Sequence, residues 1–136
     1  MNFTWTDDLA TGNTLIDQEH KELIRIIGEL LDACTKGKGR EEMMKTVHFL
    51  EQYTIKHFAD EENLQRKYNY PDLNNHLTYH AQFKNTVQVL SKRIQTEGPS
   101  VGLLAEINRN IATWFTSHIR IQDTKVAAYL KEQGVH

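Results

Sequence analysis

Apolar side chains recur three and four residues apart through four stretches of the chain, the spacing that places them on one face of an α-helix. The first stripe runs Ile16, His20, Leu23, Ile27, Leu30, Cys34, and the second Met43, Val47, Leu50, Tyr53, His57, Glu61, Leu64, Tyr68. The third reads Leu73, His76, His80, Phe83, Val87, Leu90, Ile94, and the fourth Leu104, Ile107, Ile111, Trp114, His118. Glycines and prolines break the pattern at Thr35-Lys36-Gly37-Lys38-Gly39, Tyr70-Pro71-Asp72 and Glu97-Gly98-Pro99-Ser100. These breaks predict helices over roughly 15–35, 40–68, 72–96 and 100–132, each too long for an ordinary strand and free of internal proline. Thr14-Leu15-Ile16-Asp17 has the form of a capping box, and Asp72 and Ser100 are candidate caps for the third and fourth helices. Gly28, inside the first helix, costs about 1 kcal/mol. Four helices with one apolar stripe each, joined by short loops, predict an all-α protein, an up-down-up-down antiparallel four-helix bundle with an N-terminal arm.

The stripes are apolar except where histidine or carboxylate replaces a core residue. Five histidines, His20, His57, His76, His80 and His118, and one acid, Glu61, point into the same interior. A buried polar group without a partner costs several kcal/mol of desolvation. A hydrogen bond to a backbone carbonyl accounts for any single buried histidine; it accounts poorly for polar groups on all four helices. Two helices carry an i, i+4 pair, His57 with Glu61 and His76 with His80, which sets two donor atoms one turn apart on one face, as a bound metal requires. His48 precedes His57 by nine positions, about 180° around a helix, so it faces solvent, and His136 is the last residue. Imidazole-rich ligands point to iron, zinc, copper or manganese rather than calcium or magnesium. Five histidines exceed one tetrahedral zinc site and suit a binuclear centre bridged by carboxylates. Glu61 is one candidate bridge. The only acid near His118 is Asp123, five residues on, an offset of about 140° on a straight α-helix. Either the helix is irregular there or Asp123 is a surface residue, and spacing leaves both open.

Composition narrows the function classes. A chain of 136 residues fits one domain spanning 1–136. Sixteen basic and 18 acidic residues give a net charge of −2, without the basic footprint of a nucleic-acid-binding protein. The densest apolar run, Leu23 to Leu31, contains Arg25 and Glu29 and is too short to span a membrane. Met1 to Asp8 has neither a basic region nor an apolar core, so a cytoplasmic location is expected. Cys34 is the one cysteine, which excludes an internal disulfide and a multi-cysteine metal site.

Taken together, Ile16-Asp17-Gln18-Glu19-His20, His57-Phe58-Ala59-Asp60-Glu61-Glu62, His76-Leu77-Thr78-Tyr79-His80 and Trp114-Phe115-Thr116-Ser117-His118-Ile119 through Asp123 resemble the hemerythrins, specifically their single-domain bacterial members. The likeness extends from Trp5 to about Leu130. It implies a non-haem di-iron centre in which His76, His80 and His118 bind one iron and His20 and His57 the other. Glu61 and Asp123 bridge the pair together with an oxo or hydroxo ion. The five-residue step from His118 to Asp123 is the family's own spacing. The iron with two histidines is then left one open position for dioxygen; Leu23, Phe58 and Ile119 match positions for an apolar pocket around it, and Trp114 and Phe115 are nearby candidates for the same wall. Reversible dioxygen binding, as an oxygen carrier or buffer serving an oxygen-consuming enzyme, is the function this implies. An oxygen- or redox-sensing module of a signalling protein is the alternative. A peroxidase, oxidase or nitric oxide scavenger ranks last, and no enzyme is expected, because no general acid or base beyond the ligands presents itself.

Overall fold

The computed structural model describes residues 3–136, among which no strand occurs. Helix α1 spans Thr14–Thr35, α2 Arg40–Lys67 and α3 Leu73–Glu97. Helix α4 runs over 101–132, with two π-helical segments, Ile107–Thr113 and Ile119–Asp123, set into it. Each helix packs on the next, and α4 returns against α1 and α3, closing an all-α four-helix bundle. The arm contributes a 3-10 turn, Asp7–Leu9, whose Leu9 is buried in the main core.

The helix starts obey local chemistry with two shifts from expectation. Asn13, not Thr14, caps α1, its side chain accepting from the Ile16 N–H at 3.0 Å. Asp17 turns back to the arm instead of forming a capping box, accepting from the Thr11 N–H at 2.9 Å and the Thr11 hydroxyl at 2.7 Å. Ser100 caps α4 through the Leu103 N–H at 3.0 Å. Asp72 sits at the start of α3 but makes no backbone cap; its carboxylate accepts from the Asn75 amide. Gly28 has a packing reason: a Cβ there would lie 2.8 Å from the Phe3 carbonyl oxygen, so the arm crosses α1 where only a hydrogen fits.

Along α4 every fourth residue is buried: Leu103, Ile107, Ile111, Phe115, Ile119, Asp123 and Ala127. On a pure α-helix each step of four overshoots a full turn by about 40°, so the stripe would wind about 240° around the helix over that span. Each π segment takes up one extra residue, equivalent to about 100° of α rotation, so two of them hold the stripe toward the core. This moves the expected stripe sideways at two points. Leu103 and Phe115 are fully buried, whereas Leu104 and Trp114 are only partly so.

The interior has two apolar parts. The larger includes Leu23, Ile27, Leu50, Phe58, Phe83, Leu90, Ile111 and Phe115. The smaller contains Ile16, Val126 and Leu130, covered by Leu64, Tyr68 and Tyr70. The histidines and acids of the stripes fall near the boundary between these clusters in sequence, with Ile16 before His20 on α1, Leu64 after Glu61 on α2 and Val126 after Asp123 on α4.

Candidate metal centre

All four helices supply the polar layer: His20 from α1, His57 and Glu61 from α2, His76 and His80 from α3, His118 and Asp123 from α4. Every one of these side chains is buried. Their donor atoms fall into two groups, each within 4.8 Å: Glu61, His76, His80, His118 and Asp123 in one, and His20, His57, Glu61 and Asp123 in the other. Glu61 and Asp123 belong to both. The second π segment explains how Asp123 gets there, because its wider turn brings a residue five positions after His118 back to the same face. Asp123 oxygens lie 2.9 Å from His20 Nε2, 3.1 Å from His76 Nε2 and 3.2 Å from His118 Nε2. Glu61 is 2.5 Å from His76 Nε2 and 3.4 Å from His57 Nε2.

These approaches are close but not aligned as hydrogen bonds. All five histidine Nε2 atoms, Glu61 Oε2 and both Asp123 oxygens are buried without a hydrogen-bond partner among the described residues. Buried polar atoms are nearly always paired, and each orphan costs about 1–3 kcal/mol. Nitrogen and carboxylate lone pairs brought together without partners are the donor set of a metal site, and two groups sharing two carboxylates suit two cations with bridging acids.

Electrostatics agree. Burial pushes the Glu61 carboxyl up, as does the charge of Asp123, but the close imidazoles of His57, His76 and His80 outweigh both and hold it below the ordinary carboxylate range. Asp123 is likewise raised by burial and brought well below that range by His118, His20 and His76. Burial lowers His57, yet Glu19 and Glu61 raise it to about 10. Burial also lowers His76, and Asp123 with Glu61 raises it to about 9. Two buried carboxylates thus demand positive charge at the centre, which protons or a cation can supply.

Outside the donor set, two acids absent from the expected site reach into it. Glu19 Oε1 lies 3.0 Å from His57 Nδ1, and Glu62 Oε2 lies 2.8 Å from His80 Nδ1. Their sequence signal is only adjacency to His20 and Glu61. Gln65 also approaches, donating to Glu61 Oε1 at 3.4 Å.

The apolar residues around the site divide by side. Leu23, Phe58, Phe115 and Ile119 are buried in the main core. Phe115 meets His20 edge-on with ring centres 5.4 Å apart, and Phe58 stacks on His80 at 3.7 Å. Trp114 stacks on His118 at 4.8 Å, beside the three-histidine group, and with Tyr79 lines a surface cleft that reaches His118. Phe83, a stripe residue not singled out by sequence, joins Phe58, Trp114 and Phe115 into one aromatic cluster. His48 and His136 are exposed. No helix among the described residues is long and apolar enough to cross a membrane.

A four-helix bundle with five imidazoles and two carboxylates converging in its core defines a metal-binding helical protein of the non-haem kind. Residues 11–130 match the family model described as the hemerythrin HHE cation binding domain, and the chain belongs to the hemerythrin family, a class of non-haem iron proteins that bind oxygen. It is 34% identical over 122 residues to a bacteriohemerythrin of Pseudomonas aeruginosa, covering 90% of this chain and 77% of that one. A bacteriohemerythrin of Stenotrophomonas maltophilia is 31% identical, with 93% and 80% covered. A crystal structure of a hemerythrin mutant superimposes with a TM-score of 0.82 at 26% identity, covering 93% of this chain and 95% of that one.

Proposed function

We propose that the chain binds dioxygen reversibly as a carrier or buffer, using two iron ions held between its helices. His76, His80 and His118 hold one iron, His20 and His57 the other, and Glu61 and Asp123 join them. The observation that carries this is the set of buried Nε2 and carboxylate atoms left without hydrogen bonds in two groups that share both acids. Bound there, an iron pair would supply a reversible two-electron exchange with dioxygen.

The residues of the chain do the rest. Three histidines saturate one side more fully than two saturate the other, which directs a small ligand toward the His20 and His57 side. Leu23, Phe115 and Ile119, all buried, keep water and acids away from that side, and buried Phe58 stands against both His80 and His57. Trp114 shields His118 on the three-histidine side. Ligand chemistry favours binding over oxygen activation: neutral imidazoles stabilise high iron oxidation states less than the glutamate-rich sets of ferritin-like oxidases do.

The test is to load the chain anaerobically with ferrous iron, measure metal content and Mössbauer spectra, and then cycle dioxygen. The expected result is about two irons per chain and a nearly colourless protein. Air should produce a strong visible spectrum that disappears when dioxygen is removed. A stable content of one zinc overturns the di-iron assignment, and steady dioxygen consumption with an electron donor overturns the carrier role.

A further inference from the structure

The two acids beside the donor set repeat one arrangement. Glu19 precedes His20 on α1, yet its Oε1 reaches His57 Nδ1 on α2 at 3.0 Å. Glu62 follows Glu61 on α2, and its Oε2 reaches His80 Nδ1 on α3 at 2.8 Å. In both cases the neighbour of a donor residue on one helix accepts from a donor histidine on the next. Resting on the assignment of His57 and His80 as metal ligands, we propose that Glu19 and Glu62 are positioning residues, one for each half of the centre. Each holds its imidazole as the Nδ1–H tautomer and turns a bare Nε2 toward the metal.

An imidazole can bind a cation through Nε2 only when that nitrogen carries no proton, and the partner of Nδ1 decides which tautomer is present. A buried carboxylate is a strong acceptor for Nδ1–H and also fixes the ring's rotation. Glu19 is 3% exposed and is itself held: Lys56 Nζ lies 2.6 Å from its Oε2 and 2.9 Å from Asp60, leaving Oε1 for His57. Glu62 has a looser anchor, with Arg66 at 3.9 Å. The halves also differ in what else orients them. His20 Nδ1 has no partner among the described residues, so on the two-histidine side Glu19 is the acceptor that sets an imidazole tautomer. Loss of Glu19 should therefore weaken its half more than loss of Glu62 weakens the three-histidine half.

The experiment uses the full chain freed of metal by a chelator, with Co²⁺ alone as the probe. Wild type should take up about two equivalents; Glu19→Ala should lose about 10- to 100-fold in affinity for one of them and spare the other. Glu62→Ala should weaken the opposite equivalent by a smaller factor. Glu19→Gln and Glu62→Gln keep an acceptor oxygen and should recover most of the loss, which general destabilisation would not predict. In the Zn²⁺-loaded wild type, NMR should show slowly exchanging Nδ1 protons on His57 and His80, each removed by its own alanine substitution. Failure of wild type to bind Co²⁺ overturns the metal assignment itself. Two normal equivalents and unchanged tautomers in both alanine variants overturn the positioning role and leave that assignment standing. If an alanine variant does not fold, the wild-type NMR decides: an Nε2-protonated ring at His57 or His80 overturns the proposal.

Discussion

His76 and His118 differ from His48 and His136 in one respect that matters, burial among converging acids. Removing either buried imidazole takes a donor from a group that shares Glu61 and Asp123, and leaves those acids with less compensating charge. His76→Ala and His118→Ala should therefore lose metal and the optical spectrum of the loaded protein. His48→Ala and His136→Ala should leave both unchanged; elemental analysis and absorption spectra on the four variants check this. Leu23 offers a sharper probe of the two-histidine side. It is 1% exposed and stands three residues after His20 on the same face. Leu23→Glu should keep its iron and lose the reversible dioxygen spectrum, because a carboxylate there competes for the open position or admits water. A variant that cycles dioxygen as wild type does would move the ligand pocket away from His20.

Helix α4 carries more of the site than its length suggests, because it changes geometry twice. The segment Ile119–Asp123 makes a five-residue offset serve as one turn, and three histidine Nε2 atoms approach Asp123 within 3.2 Å. Deleting exposed Ile121 would shorten the offset to four and return this turn to regular α geometry, keeping Asp123 and the apolar residues beyond it near their present face. An alanine inserted after Ile121 instead lengthens the offset to six and turns Asp123 about 100° away from its present direction. The expected outcome is unchanged helicity by circular dichroism in both variants, with both metal equivalents kept by the deletion and uptake weakened by the insertion. Full two-metal binding by the insertion variant would show that the angle of Asp123 on α4 does not place the acid. Segments of this kind recur at functional sites, where an inserted residue redirects a side chain at the cost of regular hydrogen bonding.

For the molecule as a whole, the polar layer makes stability depend on what fills the centre. After chelation, protons replace the cation. His57 and His76 rise to about 10 and about 9 from an ordinary 6.5, so their stabilising contribution is complete below pH 6.5 and is lost as pH climbs through those raised values. Glu61 and Asp123 lie below their ordinary 4.5 and 3.8, so their contribution is present above those values and is lost in more acid solution. The chelated protein should melt highest between about pH 4.5 and 6.5 and progressively lower toward pH 10. The metal-loaded protein should melt higher throughout the alkaline range and show less of this slope, because a cation that binds the folded state replaces those protons. Thermal melts of both forms across pH read the difference directly.

The bundle was legible from spacing, because a stripe of period near 3.6 needs no knowledge of its neighbours: one helix must bury one face, and the breaks at Gly37, Pro71 and Pro99 leave four such helices. The same stripes exposed His20, His57, Glu61, His76, His80 and His118, since a polar residue at a core position is conspicuous within its own helix. Asp123 was different. Its angle to His118 depends on whether α4 takes an extra residue into one turn, and that follows from how the whole length of the helix keeps its four-residue stripe against α1 and α3. Glu19 and Glu62 were hidden for a related reason: their partners are 38 and 18 residues away, on other helices. Periodicity reports which face of a helix turns inward; which groups meet across the interior is settled by the relative height and rotation of packed helices, a property of the assembled bundle.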